Sequence, residues 1–483
     1  MSQLSSQDAA ASSWIGKFCT CAKDFLDGYF CITERGSTIG TEIRAGTAAF
    51  LTMSYLLLVN PQIMSQAGVS HSDAVLATAL SSAIASILVG VCGNLPFGLA
   101  PGLGLSAYLT YGLVLADAAT LSEALTACFA SGLALFVCAV SGLADVVMRI
   151  VPKSVKMAIV VGMGILIAMI GMVSIQLIVA DEKTLVAMGQ LSQWSMQLSL
   201  LGVVLIASLL YHNVKGGILV GIAILTLIFW IVDKSFPSEF FEVPHWDGEQ
   251  HIDVSVMWRW EKAGTFYTAV FTFLFICIFD ISGVMFGLGT LSGLVEGDGS
   301  IKRSIWGFLA SSIGTMVAAF FGSTPIICTV ECAAGIKEGG RTGLTAVVIG
   351  IYFLLSIFLA PLFGAVPDGA TAPVLILVGT LMMGEAAKID WETMDSAVPA
   401  FLVLTLIPLT YSITNGIVFG LMAAAVFYIT TGKAFRDVAR LVTKTGDEDT
   451  VELRHSLLQE KYSLRESEVS VFSERHGQYG AVV

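Results

Sequence analysis

Two acids stand inside long apolar runs of this chain. Asp280 lies in "AVFTFLFICIFDISGVMFGLG", with seventeen uncharged residues between it and Lys262 and fifteen before Glu296. Glu331 lies in "FGSTPIICTVECAAG", six positions ahead of Lys337. A carboxylate near the middle of a bilayer costs about 2.5–3.5 kcal/mol on insertion scales, so such residues mark ligand or ion pathways. A carboxylate accepts several hydrogen bonds, and it can also take up and release a proton. Substrate recognition and proton coupling are therefore the chemistry expected of Asp280 and Glu331. The competing readings are structural. Glu331 would be a charge solvated at the inner end of a short span, and Asp280 a partner to a buried hydroxyl.

Other chemistry lacks its residues. The chain has no GxSxG, HExxH, CxxC or Walker pattern, and its six histidines are not clustered. No enzyme, no metal site and no cofactor is expected. The nine cysteines are scattered, mostly inside apolar runs, so no disulfide framework is expected either. A net charge of −12 offers no basic face to nucleic acid.

The elements that must hold the two acids are membrane helices. Of the 483 residues, 55% are hydrophobic and 13% charged, and the mean hydropathy is +0.81. A soluble domain carries about 25% charged residues. Apolar runs recur at 46–65, 75–93, 95–114, 121–141, 155–179, 196–211, 215–233, 264–287, 304–321, 323–336, 343–363, 371–387, 397–411 and 413–431. The chain thus reads as an all-α polytopic membrane protein with about fourteen spans, its partner the lipid bilayer. Lys and Arg fall mainly on the side of both termini, which places both tails in the cytosol. Fourteen spans divide into a 7+7 inverted repeat. The expected layout is a cytosolic tail over 1–45, a first repeat over 46–233, an extracytosolic loop over 234–262, a second repeat over 263–431 and a cytosolic tail over 432–483. Within the last of these, "AFRDVARLV" reads as a short amphipathic helix.

One segment looks wrong for a membrane. "CGNLPFGLAPGLGLSAY" breaks helix at two prolines and four glycines, yet carries no charge. Broken backbone survives in lipid only where protein or a water-filled cavity covers it. Inverted-repeat transporters use such segments in pairs, and "FGSTPIICTVECAAG" occupies the matching third-span position of the second half. Ser106 and Tyr108 in the first segment, and Ser323, Thr324, Thr329 and Glu331 in the second, are its polar groups. Weaker signals read as structure: Ser412 and Asn415 as a helix cap, Gly162 and Gly164 as close-packing positions.

The blocks "LTMSYLLLVNP", "NLPFGLAPGLGLSAY", "VPKSVKMAIVVGMGILIAMIGM", "VECAAGIKEGGRTGLTAVVIGIYFLLSIFLAPLF" and "IDWETMDSAVPAFLVLTLIPLTYSITNGI" resemble the AzgA-like purine permeases, nucleobase transporters with the uracil-permease fold. The resemblance runs from about Gly36 to Thr431. It implies proton-coupled uptake of adenine, guanine or hypoxanthine by alternating access, across the plasma membrane. It implies a core domain moving against a gate, and spans 3 and 10 that each lead through a short strand into a half-helix. Substrate would lie against Glu331, Asp280, Ser106, Ala107, Thr329 and Phe279, with Asp280 and Glu331 coupling the proton. Ser106 stands where the family usually has Asn, and Cys277 where it often has Asp. An aromatic often occupies the position of Thr329. A homodimer is among the assemblies the resemblance allows. The alternatives are a same-fold carrier of another purine-like ligand or of an anion, and a non-transporting receptor on the same frame.

Overall fold

The computed structural model describes residues 24–143, 152–181, 184–237, 263–295 and 301–433, with four isolated positions between 238 and 262. The segment "AFRDVARLV" lies outside them. Nine helices among the described residues are long and apolar enough to cross a membrane, and four shorter apolar ones of 10–17 residues accompany them. Most of the expected apolar runs coincide with helical backbone, while those at 95–114 and 323–336 each hold a short strand and only part of their length is helical.

The first run is two helices, α1 (Ile39–Met53) and α2 (Leu56–Gln66), joined by a turn at Ser54 and Tyr55. α1 begins ahead of the boundary expected at residue 46, because Thr38 caps it by accepting from Thr41 N. α3 (His71–Leu88) runs through a wider turn at Val89–Gly93 into strand β1 (Leu99–Pro101) and the half-helix α4 (Leu103–Ala107). α5 (Leu121–Ser141) closes this group, with a full capping box at Thr120 and Glu123. α6 (Lys153–Ser174), the hairpin β2 (Ile178–Asp181) and β3 (Leu185–Met188), α7 (Trp194–Tyr211) and α8 (Gly217–Asp233) follow.

The second half repeats the order. α9 (Ala263–Ser292) and α10 (Ile305–Phe321) lead into strand β4 (Ile326–Cys328), a single tight turn at Val330–Cys332 and the half-helix α11 (Ala333–Lys337). α12 (Gly343–Ser356) continues to the short α13 (Ala360–Gly364). α14 (Asp368–Met382), α15 (Met394–Thr410) and α16 (Ile413–Thr430) end the described chain. Ser412 caps α16 by accepting from Asn415 N at 3.3 Å, as expected.

Packing separates two groups. α1, α3, α5, α9, α10 and α12 pack on one another and around the two strands. α6 packs on α14 and α15, and α7 on α8 and α14. Small residues let the backbones approach. A Cβ on Gly343 would sit 1.9 Å from the Gly90 carbonyl oxygen, and one on Gly379 would sit 2.3 Å from that of Gly164.

Residues 24–38 lie over the end of the first group where α1 begins. Phe30 and Ile32 pack with Leu344 into a buried cluster. The Arg35 guanidinium donates to the carbonyls of Asn94 (2.7 Å) and Arg341 (2.9 Å). Asn94, in the left-handed region at φ 52°, donates its amide to Phe30 O and accepts from Gly343 N. Beside it the buried Glu42 accepts from Arg341 N, Thr342 N and Thr345 Oγ1, which satisfies the start of α12.

Candidate functional site

β1 and β4 pair antiparallel, Leu99 opposite Cys328, Ala100 opposite Ile327 and Pro101 opposite Ile326. Two more backbone bonds extend the pair, Gly102 N to Pro325 O and Thr329 N to Gly98 O. A two-stranded sheet leaves outward-facing amides and carbonyls, each costing several kcal/mol if unpaired in lipid. Hydroxyls on the preceding helices take them. Ser86 of α3 accepts from Leu99 N at 2.9 Å and bonds Leu99 O at 3.2 Å. In the second half Thr315 of α10 accepts from Ile326 N at 3.0 Å, and Ser311 donates to Ile326 O. The same solution serves both halves, at the strand that leads into α4 and at the strand that leads towards α11.

Two polar clusters flank the strands, and both reach back to the first run. In one, Asn60 of α2 is the hub. Its Oδ1 accepts from Ser106 Oγ at 2.5 Å, and its Nδ2 donates to Thr78 Oγ1 (2.8 Å) and Ser323 Oγ (3.1 Å). Ser106 also pairs with Thr324 Oγ1 at 2.8 Å. All five residues are fully buried. Ser106, expected at the ligand, thus has its hydroxyl engaged in joining the two broken segments. Ala107, also fully buried, ends α4 beside it.

In the other cluster Glu331 sits in the turn between β4 and α11. Tyr55 Oη donates to its Oε1 at 2.6 Å, and Thr52 Oγ1 bonds its carbonyl at 3.3 Å. Among the described residues Glu331 forms no ion pair with Lys337 or Arg341, and it is half-buried and held by a phenol. Thr329 Oγ1 bonds Gly98 O at 3.3 Å and Cys332 Sγ at 3.3 Å, and Cys332 Sγ accepts from Gly98 N at 3.0 Å. Thr329 therefore braces β1 against the Glu331 turn.

Asp280 lies on α9, which packs against β4, α11 and the Glu331 turn. It is half-buried, and among the described residues its carboxyl forms no hydrogen bond or ion pair. Beside it Phe279 carries the Lys156 ammonium of α6 over its ring at 5.8 Å. No direct bond joins Asp280 to Glu331 or Ser106 to Glu331 among the described residues. The residues missed from the sequence are Asn60 and Tyr55. Both stand in "LTMSYLLLVNP", and the signal available was an amide beside a proline deep in an apolar run. Among the described residues no cluster of His, Cys, Asp and Glu is arranged for a metal ion.

Farther along α2, Gln62, Gln66, Tyr111, Ser174, Asp368 and Thr371 line a shallow crevice. It lies between the two packing groups, and Thr371 Oγ1 closes on Gln62 Oε1 at 2.5 Å. A third bridge between the groups runs from Thr414 of α16 to Tyr108 Oη and Thr272 Oγ1, each at 2.8 Å.

Broken spans crossing through a strand pair, within a bundle of apolar helices, define a membrane carrier. Residues 40–419 match the model of a family described as Permease family (Xan_ur_permease), and the chain belongs to that family. It is 34% identical over 425 residues to the adenine permease AdeP of Escherichia coli strain K12, covering 88% of this chain and 94% of that one. It is 34% identical over 421 residues to the guanine/hypoxanthine permease PbuO of Bacillus subtilis strain 168, covering 86% and 96%. Among solved structures, the transmembrane domain of the cyanobacterial bicarbonate transporter BicA superposes with a TM-score of 0.61 at 16% identity, covering 80% of this chain and 97% of that one. At that identity the likeness shows the shared fold. The protein is a multi-pass membrane permease and not an enzyme.

Proposed function

We propose that the chain takes up purine nucleobases across the plasma membrane, coupled to protons, by alternating access. The observation that carries this reading is Glu331: a carboxylate held by Tyr55 in the turn between β4 and the half-helix α11, in a chain similar over most of its length to adenine and guanine/hypoxanthine permeases. Glu331 Oε2 accepts an N–H of the base. Ser106, Ala107 and Thr329 shape the two backbone arms around it, and Phe279 offers a ring for stacking. Asp280 and Glu331 take and release the proton. Residues 46–233 and 263–431 act as two inverted repeats, supported by hydroxyls bonding the strand edges in both halves. The first packing group is the moving core and the second the gate, with both tails cytosolic and a homodimer as the assembly. The acids at the site disfavour an anion as cargo.

The test is uptake of radiolabelled adenine, guanine, hypoxanthine and uracil in purine-uptake-deficient yeast, at acidic and alkaline pH. Saturable purine uptake that is faster at acidic pH, and lost in Glu331→Gln at equal surface expression, is the expected result. Uptake indifferent to pH would remove the proton. No purine uptake from a surface-expressed protein would overturn the substrate.

A further inference from the structure

The chain breaks its first run at Ser54 and Tyr55 although neither residue is a proline or a glycine. The break carries three groups to one place. Thr52 Oγ1 meets the Glu331 carbonyl, Met53 Sδ meets Cys332 Sγ at 3.7 Å, and Tyr55 Oη meets Glu331 Oε1 at 2.6 Å. Tyr55 is 2% exposed, and its phenol bonds no other group among the described residues. A buried phenol with a single partner is an orienting contact, because hydroxyl–carboxylate bonds are short and directional. Among the described residues no hydrogen bond from another residue reaches the other oxygen, Oε2.

We propose that Tyr55 is a positioning residue for ligand recognition: its hydroxyl holds Oε1 of Glu331 so that Oε2 alone faces the ligand as acceptor. The proposal rests on the reading of Glu331 given above. It assigns recognition to a residue outside both broken segments. A carboxylate clamped at one oxygen presents a fixed direction to an incoming N–H of a planar heterocycle, whereas a free one must be ordered when the ligand arrives. Ordering a side chain on binding costs affinity, and the clamp removes that cost beforehand.

Three variants test it. Tyr55→Phe keeps the ring and removes the clamp. It is expected to raise KM for adenine or guanine by about three- to tenfold, with maximal velocity nearly unchanged. Thr47→Val removes an α1 hydroxyl that bonds Tyr352 and not the Glu331 turn, and is expected to leave KM in place. A readout free of transport comes from infrared spectra of protein labelled with carbon-13 glutamate. Subtracting the Glu331→Gln spectrum isolates the Glu331 carboxyl band, which Tyr55→Phe is expected to shift; a purely structural tyrosine would not move it. An unmoved band overturns the clamp, even if KM rises through looser packing. A moved band with unchanged KM overturns the role in recognition. If Glu331→Gln itself transports with unchanged KM, the reading of Glu331 falls first, and that result is visible without any Tyr55 variant.

Discussion

At the scale of single residues, Asn60 bears more of the site than any acid. One side chain supplies an acceptor to Ser106 and two donors to Thr78 and Ser323, and so ties both broken segments to α2 and α3. Leaving a buried donor or acceptor unpaired costs about 1–3 kcal/mol. Asn60→Ala is expected to lower the melting temperature of the purified protein by several degrees and to abolish uptake. Ser106→Ala, which removes one of those bonds, is expected to cost about 1–3 kcal/mol of stability and to weaken uptake without abolishing it. A thermal melt followed by size-exclusion chromatography, alongside uptake, checks both. Glu331 and Asp280 were legible in the sequence because a charge in an apolar run announces itself. Asn60 and Tyr55 were not, because an amide or a phenol costs little in a sequence count, and its partners lie up to 276 residues away. Ser106 was legible as polar, but sequence could not show that Asn60 and Thr324 occupy its hydroxyl.

At the scale of elements, the two broken spans were readable from proline and glycine, and so was their pairing. Their contact was not: β1 and β4 are short, and a strand of this length has no period to recognise. What holds the halves together elsewhere is close approach. Gly343→Ala would push a methyl into the Gly90 carbonyl, a backbone atom that cannot rotate away. It is expected to destabilise by about 1–3 kcal/mol or to prevent folding, and fluorescence-detected size-exclusion chromatography will show which. A weaker tie joins the two packing groups at the end where α1 begins. Glu338 bridges Lys215, between α7 and α8, at 2.8 Å and Arg44 of α1 at 3.3 Å. Lys215 holds the Glu338 carboxyl below its usual 4.5. A depressed carboxyl contributes stability above its unfolded value and loses it as pH falls through the folded one. The melting difference between wild type and Lys215→Ala is therefore expected at neutral pH, shrinking with added salt and shrinking as pH falls below 4.5 towards and through the depressed folded value.

At the scale of the whole molecule, the bundle was legible from hydropathy. The N-terminal tail was read too long. Residues 24–38 are polar enough to pass for a free tail, but Phe30, Ile32 and Arg35 fasten them to the ends of α3 and α12. Burial there draws the Arg35 guanidinium below its ordinary range, a cost that its two carbonyl partners offset. Burying a Phe or Ile side chain is worth about 1.5–3 kcal/mol. A chain beginning at residue 39 is thus expected to melt well below one beginning at residue 24, a difference that paired melts of the two truncations will measure.

The strand pair also has a clock attached to it. β1 leaves the ribosome roughly 230 residues before β4, the strand that pairs with it among the described residues. At about 5–20 residues per second, its inner edge waits on the order of ten to fifty seconds for a partner. During that interval the first broken span lies half made in the membrane, with Ser86 on one side and nothing on the other. Slowing synthesis between the repeats lengthens the wait, so the protein's yield in a cell depends on the pace of translation as well as on the stability of the finished fold.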